Sequence, residues 1–340
     1  GDLEIGWVDG LRVQSSNAHL NVTDRPPSGP LNFDATMKHG VLTQAVLKIT
    51  DESLAVRIEQ QKGKHTVGVR GRSWPTPTSP AVILDTVEAD GEWSDTGVRF
   101  PHVRVQTLGG QVQGDLTFRW NNPAQLESSF NFQGVDAAQV SKLFGEGNLT
   151  GTASGTGHLI MQAEELTTLA QAPVFEGEVT ITDGVILNAD LEKAAGLLRK
   201  VPVMGGQTPF DTAHVRFEMR EGRLLVPEMD IASARLEASG QMTVEKDRQI
   251  AGDLEVGLKN LASIVGIPLV ISGTLDEPRL SPSTESVVGA AVGTAILGPG
   301  LGTAVGVKAG QAVRKLREMF TGGTKSEEPA PVPQTDPDAP

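Results

Sequence analysis

The sequence contains no cysteine and no tyrosine, and aromatic residues make up only 4% of it. The lack of cysteine excludes disulfides and thiolate chemistry. The apolar side chains are mostly aliphatic, which suits an unspecific hydrophobic surface better than a shaped pocket, where aromatic and convergent polar groups are usual. Positive charge is also scarce, because 29 Lys and Arg stand against 42 Asp and Glu, a net charge of −13. An acidic chain repels phosphate backbones, so we expect no nucleic-acid partner.

Catalytic and cofactor motifs are missing as well. None of the six histidines has a second histidine or a carboxylate at helical ligand spacing with a third ligand in view, so we predict no metal site. The glycine-rich residues 151–157 lack the lysine of a phosphate loop, and Thr303 stands where a dinucleotide fingerprint needs its third glycine. No serine occupies a Gly-x-Ser-x-Gly elbow. We therefore predict no catalytic residue, no cofactor and no enzymatic activity.

The sequence does contain a duplicated pattern of alternating apolar and polar residues. Residues 101–114 recur as residues 227–240 at a shift of 126, and at a shift of 124 Phe130 falls on Leu254. A period of two is typical of strands with one apolar face, and such duplication is typical of extended architectures. We predict a mainly β fold: an elongated, curved antiparallel β-sheet that forms a repeated β-groove, with a few short helices and a C-terminal glycine-rich helical segment.

Four segments are expected along the chain. Residues 1–80 form an N-terminal β segment that continues the groove, and residues 81–285 hold the duplicated region, with copies at about 93–156 and 219–274. Residues 286–322 form a glycine-rich and basic amphipathic helical segment, and residues 323–340 a disordered, acidic, proline-rich tail. Because the chain begins with Gly1 and no leader follows, we expect a fragment or a processed product.

Local signals predict three short helices and two irregularities. The helices are 136–144 with Asp136 as N-cap, 190–201 before a proline, and a short one between residues 260 and 268. Pro101 predicts a kink in its strand. The triplet at residues 182–184, Thr-Asp-Gly, predicts a turn.

The glycine-rich segment allows two interpretations. Residues 286–307 are 22 residues without a charge, with glycines at spacing four and Pro299 near the middle. They predict either a hairpin of two short helices that dips into a bilayer, with the basic helix at 308–320 on anionic head groups, or a plain helical cap on the sheet. The residues expected to contact a membrane or a partner are Ile296, Leu297, Leu301, Lys308, Arg314, Lys315 and Arg317.

The apolar face of the duplicated strands must be covered, and two solutions are open. The two copies could pack face to face as a sandwich, or one curved sheet could leave a trough for acyl chains. A lipid would gain on the order of 0.8 kcal/mol per buried methylene. In the second case, positions that alternate with polar residues in both copies line the groove: Val103, Val105, Leu116, Phe118, Phe130, Phe132, Ile231, Met242, Val244, Leu254 and Val256.

Several strings near the C-terminus resemble the bacterial AsmA family. They are residues 222–227 (Gly-Arg-Leu-Leu-Val-Pro), 271–278 (Ile-Ser-Gly-Thr-Leu-Asp-Glu-Pro) and 293–303, which includes Gly-Pro-Gly-Leu-Gly-Thr. The resemblance implies an envelope protein held in the inner membrane by an N-terminal helix, absent from this chain, with a β-groove that crosses the periplasm. It implies phospholipids as cargo on their way to the outer membrane. The alternative it leaves open is a non-enzymatic assembly or scaffold factor for outer-membrane proteins.

Overall fold

The computed structural model describes residues 2–7, 11–18, 31–49, 53–76, 80–145, 147–165, 168–196, 202–259 and 266–283. The chain divides into two compact units, Gly1–Ser286 and Val287–Pro340. The second unit lies outside the described residues, and with it the glycine-rich segment, the tail and every predicted membrane-contact residue.

The described part of the chain is almost entirely strand, with nineteen strands and two α-helices. The first ten strands are β1 Asp2–Trp7, β2 Leu11–Ala18, β3 Leu31–Lys38, β4 Val41–Ile49, β5 Leu54–Gln61, β6 Lys64–Pro75, β7 Ile83–Ser94, β8 Gly97–Thr107, β9 Gly110–Arg119 and β10 Ala124–Asp136. After them come α1 Ala137–Phe144, β11 Leu149–Ala163, β12 Val174–Leu187, α2 Leu191–Gly196, β13 Val203–Met204, β14 Gln207–Arg220, β15 Arg223–Ala232, β16 Leu236–Val244, β17 Ile250–Leu258, β18 Gly266–Gly273 and β19 Pro278–Pro282.

All nineteen strands belong to one antiparallel sheet. Each strand pairs with the next along the chain, with one exception: β12 pairs with β14, and the two-residue β13 pairs with the last strand, β19. The predicted fold class, a mainly β antiparallel sheet with few short helices, is confirmed. The sandwich alternative is wrong, because the two copies continue one sheet and do not form two facing sheets.

Tight hairpins join many of the strands. The turns His39-Gly40, Lys62-Gly63, Leu108-Gly109 and Glu221-Gly222 each have positive φ at both residues. Two-residue turns of this kind match the right-handed twist of the flanking strands, and glycine takes the second position without steric cost. These turns fix the register, and with it the face on which each side chain lies.

The two sequence copies share a β-bulge at an equivalent proline. The register shifts at Pro101, between Phe100 and Val103, and shifts again at Pro227, between Val226 and Met229. Proline cannot donate to the ladder and is therefore confined to such irregular places. The kink predicted at Pro101 is confirmed.

Helix α1 begins where the sequence predicts. Asp136 has extended backbone angles, and its Oδ1 accepts a hydrogen bond of 2.8 Å from Ala138 N. Its Oδ2 accepts a second hydrogen bond, of 3.1 Å, from Gln139 Nε2. These hydrogen bonds, that of Gln139 first, lower the pKa of Asp136 below its ordinary value.

The cap makes a pH-dependent contribution to stability. We expect Asp136→Ala to lower the free energy of unfolding by about 1 kcal/mol at pH 7. Because the pKa of Asp136 is lowered on folding, this contribution is complete above about pH 4 and is lost as the pH falls through the folded value. Urea unfolding at pH 7 and pH 3 measures it, with Asp136→Asn, which also caps helices, as the control. An Ala variant equal to wild type at pH 7 would contradict the assignment.

The second predicted helix is confirmed where the structure describes it, and the third can be compared at only two residues. Helix α2 covers Leu191–Gly196, and the remaining predicted residues 197–201 lie outside the described residues. Of the region predicted for the third helix, residues 260–265 also lie outside, whereas residues 266 and 267 begin β18. The turn predicted at residues 182–184 is wrong, because β12 runs through it with only Asp183 at positive φ.

Candidate functional site: the apolar face of the sheet

One face of the sheet carries an unbroken line of uncharged residues across eleven strands. Each residue in this line lies directly opposite the next one, so the line runs perpendicular to the strands, over about 48 Å at a strand spacing of about 4.8 Å. We call it the central row: Phe33, Leu47, Val56, Val69, Ala89, Val103, Gly114, Phe130, Gly157, Gly177 and Phe217.

The central row is only half covered by protein. Its Phe, Leu and Val side chains are all half-buried, and only Ala89 among its side chains, at 5% exposure, is buried. Helix α1 packs on β10 and β11, and α2 packs on β14, β17, β18 and β19. The apolar side chains of β3–β9 therefore keep surface that neither described helix covers.

A parallel line, the second row, leads from this open region into a packed one. Its side chains are half-buried through Val215 and Met229 apart from Val87, but Leu254 is 5% exposed and Leu269 is 1% exposed. The second row consists of Leu54, Gly71, Val87, Val105, Val112, Phe132, Gly155, Val179, Val215, Met229, Gly240, Leu254 and Leu269.

Helix α2 closes the apolar face at the C-terminal end of the sheet. Leu191, Ala194 and Ala195 are at most 3% exposed and belong to the same core as strands β14–β19. The hydroxyl of Thr208, 1% exposed, donates to the carbonyl of Ala189 and accepts from Leu191 N, at 2.8 and 3.0 Å. The buried Thr208 hydroxyl therefore has hydrogen-bond partners, and these two bonds fix the start of α2 to strand β14.

A polar contact completes this closure. The Nη2 of Arg248, in the β16–β17 turn, lies 2.5 and 2.6 Å from the two carboxylate oxygens of Asp276. Asn148 Nδ2 donates to the carbonyl of Leu275 at 2.8 Å, and Asn188 Nδ2 donates to Asn148 Oδ1 at 3.0 Å. The Thr-Leu-Asp-Glu turn that follows β18, part of the string that resembles the AsmA family, is thereby attached to the loops after α1 and β12.

The eleven predicted lining residues all lie on the apolar face, but in two different environments. Val103, Val105, Leu116, Phe118, Phe130, Phe132 and Met242 are half-buried. The prediction needs correction for four others, because α2 and the last strands cover them: Ile231, Val244, Leu254 and Val256 are between 0% and 8% exposed. They form a packed core, and only the half-buried set offers surface to a ligand.

The opposite face is ionic. Arg216 lies 3.0 Å from both Glu178 and Glu228, on the two neighbouring strands, and Arg70 lies 2.7 Å from Asp90. Such exposed pairs contribute about 1 kcal/mol or less each, but they keep this face in water. A hollow of about 530 Å³, lined by Gln106, Gln111 and other polar-face residues, also lies on this side.

Aromatic rings lie across the middle of the apolar face. The ring centroids of Phe130 and Phe175 are 5.8 Å apart with an interplanar angle of 15°, and those of Phe175 and Phe217 are 5.0 Å apart. Near the end of β7, Trp93 and Trp120 lie 4.9 Å apart. The predicted lining residues do not include Phe175 or Phe217, and the strand register shows that both share the face of Phe130.

Within the described ranges, no three His, Asp or Glu side chains cluster so as to hold a metal ion. Neither described helix has the length and apolar character needed to cross a membrane. Comparison with protein-family models, curated proteins and solved structures gives no match to this chain. Its function is therefore inferred from the geometry of the sheet.

Proposed function

We propose that this protein is a lipid-conduit module that carries the acyl chains of phospholipids along the apolar face, in the periplasm between the inner and outer membranes. The observation that carries the proposal is the central row, which is uncharged across eleven strands and whose Phe, Leu and Val side chains are only half-buried. The resemblance to the AsmA family supports the same cargo and the same location.

The chemistry of the row favours a hydrocarbon chain over other ligands. None of its residues carries a polar side chain, so a ligand that needs hydrogen bonds would lose those it makes with water and gain none. A methylene chain has no such groups, and full burial contributes about 0.8 kcal/mol per methylene. The polar head group can stay in water.

The repetition of the row favours sliding over tight binding. A lipid tail that moves along the row by one strand, about 4.8 Å, meets another uncharged residue, which is aliphatic, aromatic or glycine. No convergent polar group fixes the tail at one of these positions. Transport along the sheet needs a surface of this kind.

Photocrosslinking tests the proposal. The full chain, with a photoreactive residue at Val103, is incubated with vesicles of phosphatidylethanolamine and phosphatidylglycerol, re-isolated, irradiated and analysed by mass spectrometry. We expect lipid adducts at Val103 and none at the control position Arg104, the next residue, which is exposed on the opposite face. Equal lipid adducts at both positions would refute the conduit. If the same Val103 probe in an envelope extract formed adducts with protein and none with lipid, the result would favour an assembly factor.

A further inference from the structure

The central row contains three glycines, and the backbone explains only two of them. A Cβ added at Gly114 would collide with the carbonyl oxygen of Ser129, and one at Gly177 with that of Thr156. Both glycines are therefore needed for the close approach of neighbouring strands. Neither collision can be relieved without moving a strand.

Gly157 is different, because the three atoms nearest to an added Cβ all belong to aromatic rings. The added atom would lie 2.7 Å from Cζ and 2.9 Å from Cε2 of Phe130, and 2.9 Å from Cε2 of Phe175. No backbone atom is among these nearest neighbours, and Gly157 does not have positive φ. Neither the fold of the strand nor its pairing therefore requires glycine here.

The missing side chain leaves room for the edges of two rings close to β11. Phe130, on β10, lies directly opposite Gly157. Phe175, on β12, lies two residues before Gly177, the partner of Gly157 on that strand. Their nearly parallel rings reach over the glycine from both sides. A Cβ would force both ring edges away from the strand and into the space above the apolar face.

We propose that Gly157 is a specificity-determining position that sets the depth of the conduit by leaving room for Phe130 and Phe175 close to β11. This inference rests on the proposed function, and the ligand that contacts this part of the apolar face is the acyl chain of a phospholipid. With the rings down, the step across β10–β12 accepts tails of large cross-section, such as methyl-branched chains. With the rings raised, it accepts straight chains and disfavours branched ones.

A purely structural role for Gly157 predicts a different result. Rings over a strand glycine also cover its exposed backbone, which stabilises a sheet. However, glycine weakens a strand interior relative to alanine, which offsets the loss of that cover, so we expect Gly157→Ala to have a stability close to that of wild type. A loss of branched-chain loading in a variant of undiminished stability is an effect that a structural role would not produce.

The experiment compares lipid loading from vesicles with equal amounts of straight-chain and methyl-branched phosphatidylglycerol, measured by native mass spectrometry. We expect Gly157→Ala to lower the branched-to-straight ratio about fourfold, the equivalent of one methylene contact. Gly68→Ala is the matched control, because its Cβ would lie on the polar face and approach only Asp90 Oδ1, at 3.4 Å. The double variant Gly157→Ala with Phe130→Leu should restore the ratio.

The outcomes separate this inference from the proposed function. If wild type loads lipid but the branched-to-straight ratio is unchanged in Gly157→Ala, the inference about Gly157 is wrong and the proposed conduit remains. If wild type loads no lipid, both the inference and the proposed function are wrong. If Gly157→Ala fails to fold, Phe175→Leu replaces it: the shorter side chain should raise the branched-to-straight ratio, and an unchanged ratio overturns the inference.

Discussion

Val103→Glu is expected to reduce phospholipid loading at least about tenfold, a change that corresponds to about 1.4 kcal/mol. Val103 lies in the middle of the central row and is half-buried. A carboxylate here would have to lose water whenever a tail covers it, and burial of an unpaired charge costs more than the contact with one tail segment gains. The row would then be interrupted at β8.

The fold should tolerate this change. Because Val103 is only half-buried, the longer glutamate can bring its carboxylate to water, and we expect a loss of only about 1 kcal/mol in the free energy of unfolding. Below about pH 4 the glutamate is neutral, so lipid loading should recover. The recovery would distinguish an effect of charge from an effect of shape.

Gln113→Glu is the matched control for charge. Gln113 lies on the neighbouring strand β9, exposed on the polar face, and the substitution adds the same negative charge. We expect normal loading in this variant, measured by native mass spectrometry after incubation with vesicles. Equal loading of wild type and Val103→Glu would refute the central row as the lipid path.

The face on which a side chain lies could be read from the sequence. Alternation placed all eleven predicted lining residues on the apolar side, because a strand has a period of two and its neighbours are joined by tight turns. The equivalence of Pro101 and Pro227 also held, since both mark a register shift. Asp136 was recognisable as a cap because its chemistry is local.

What covers that face could not be read from the sequence. Phe132 and Val256 are equivalent in the two copies, yet Phe132 is half-buried and Val256 is 0% exposed. The difference comes from β13, which leaves the sequential order to pair with β19, and from α2, which packs beneath the last strands. Long-range pairings leave no periodic signal, and the helical pattern that predicted α2 does not say which strands the helix packs against.

The turn predicted at Asp183 failed for a related reason. Thr-Asp-Gly is common in turns, but here β11 and β14 both pair with β12 on either side of the triplet. The residue takes positive φ inside a strand that two neighbours hold extended. Tertiary pairing therefore overrides the local preference.

The two copies have the same strand register and different surroundings, which assigns them different roles. In the first copy Phe130 and Phe132 are half-buried, whereas the equivalent Leu254 and Val256 of the second copy lie in the same packed core as α2. In the proposed conduit the second copy ends the lipid path, and the ion pair between Arg248 and Asp276 holds that end together. We therefore expect a lipid tail that reaches the packed core to leave sideways or to displace α2.

Leu269→Ala tests this division and should have the largest effect on stability. Leu269 is 1% exposed and lies in the core with Leu254 and Ile271. Removal of a buried leucine side chain leaves a cavity that costs about 2–5 kcal/mol. Leu225→Ala is the matched control, because Leu225 is 41% exposed and its truncation should cost about 0.5 kcal/mol or less.

Urea unfolding measures both variants, and lipid loading per folded molecule is measured in parallel. We expect Leu269→Ala to load normally, because no tail reaches a side chain that the protein already covers. If folded Leu269→Ala loaded less lipid than wild type, the C-terminal strands would have to open to admit lipid. The path would then not end at β14. The free energy that one methylene of a lipid tail gains by burial is far smaller than the free energy of unfolding lost with the buried leucine side chain. Urea unfolding therefore reports on the core, and lipid loading reports on the path.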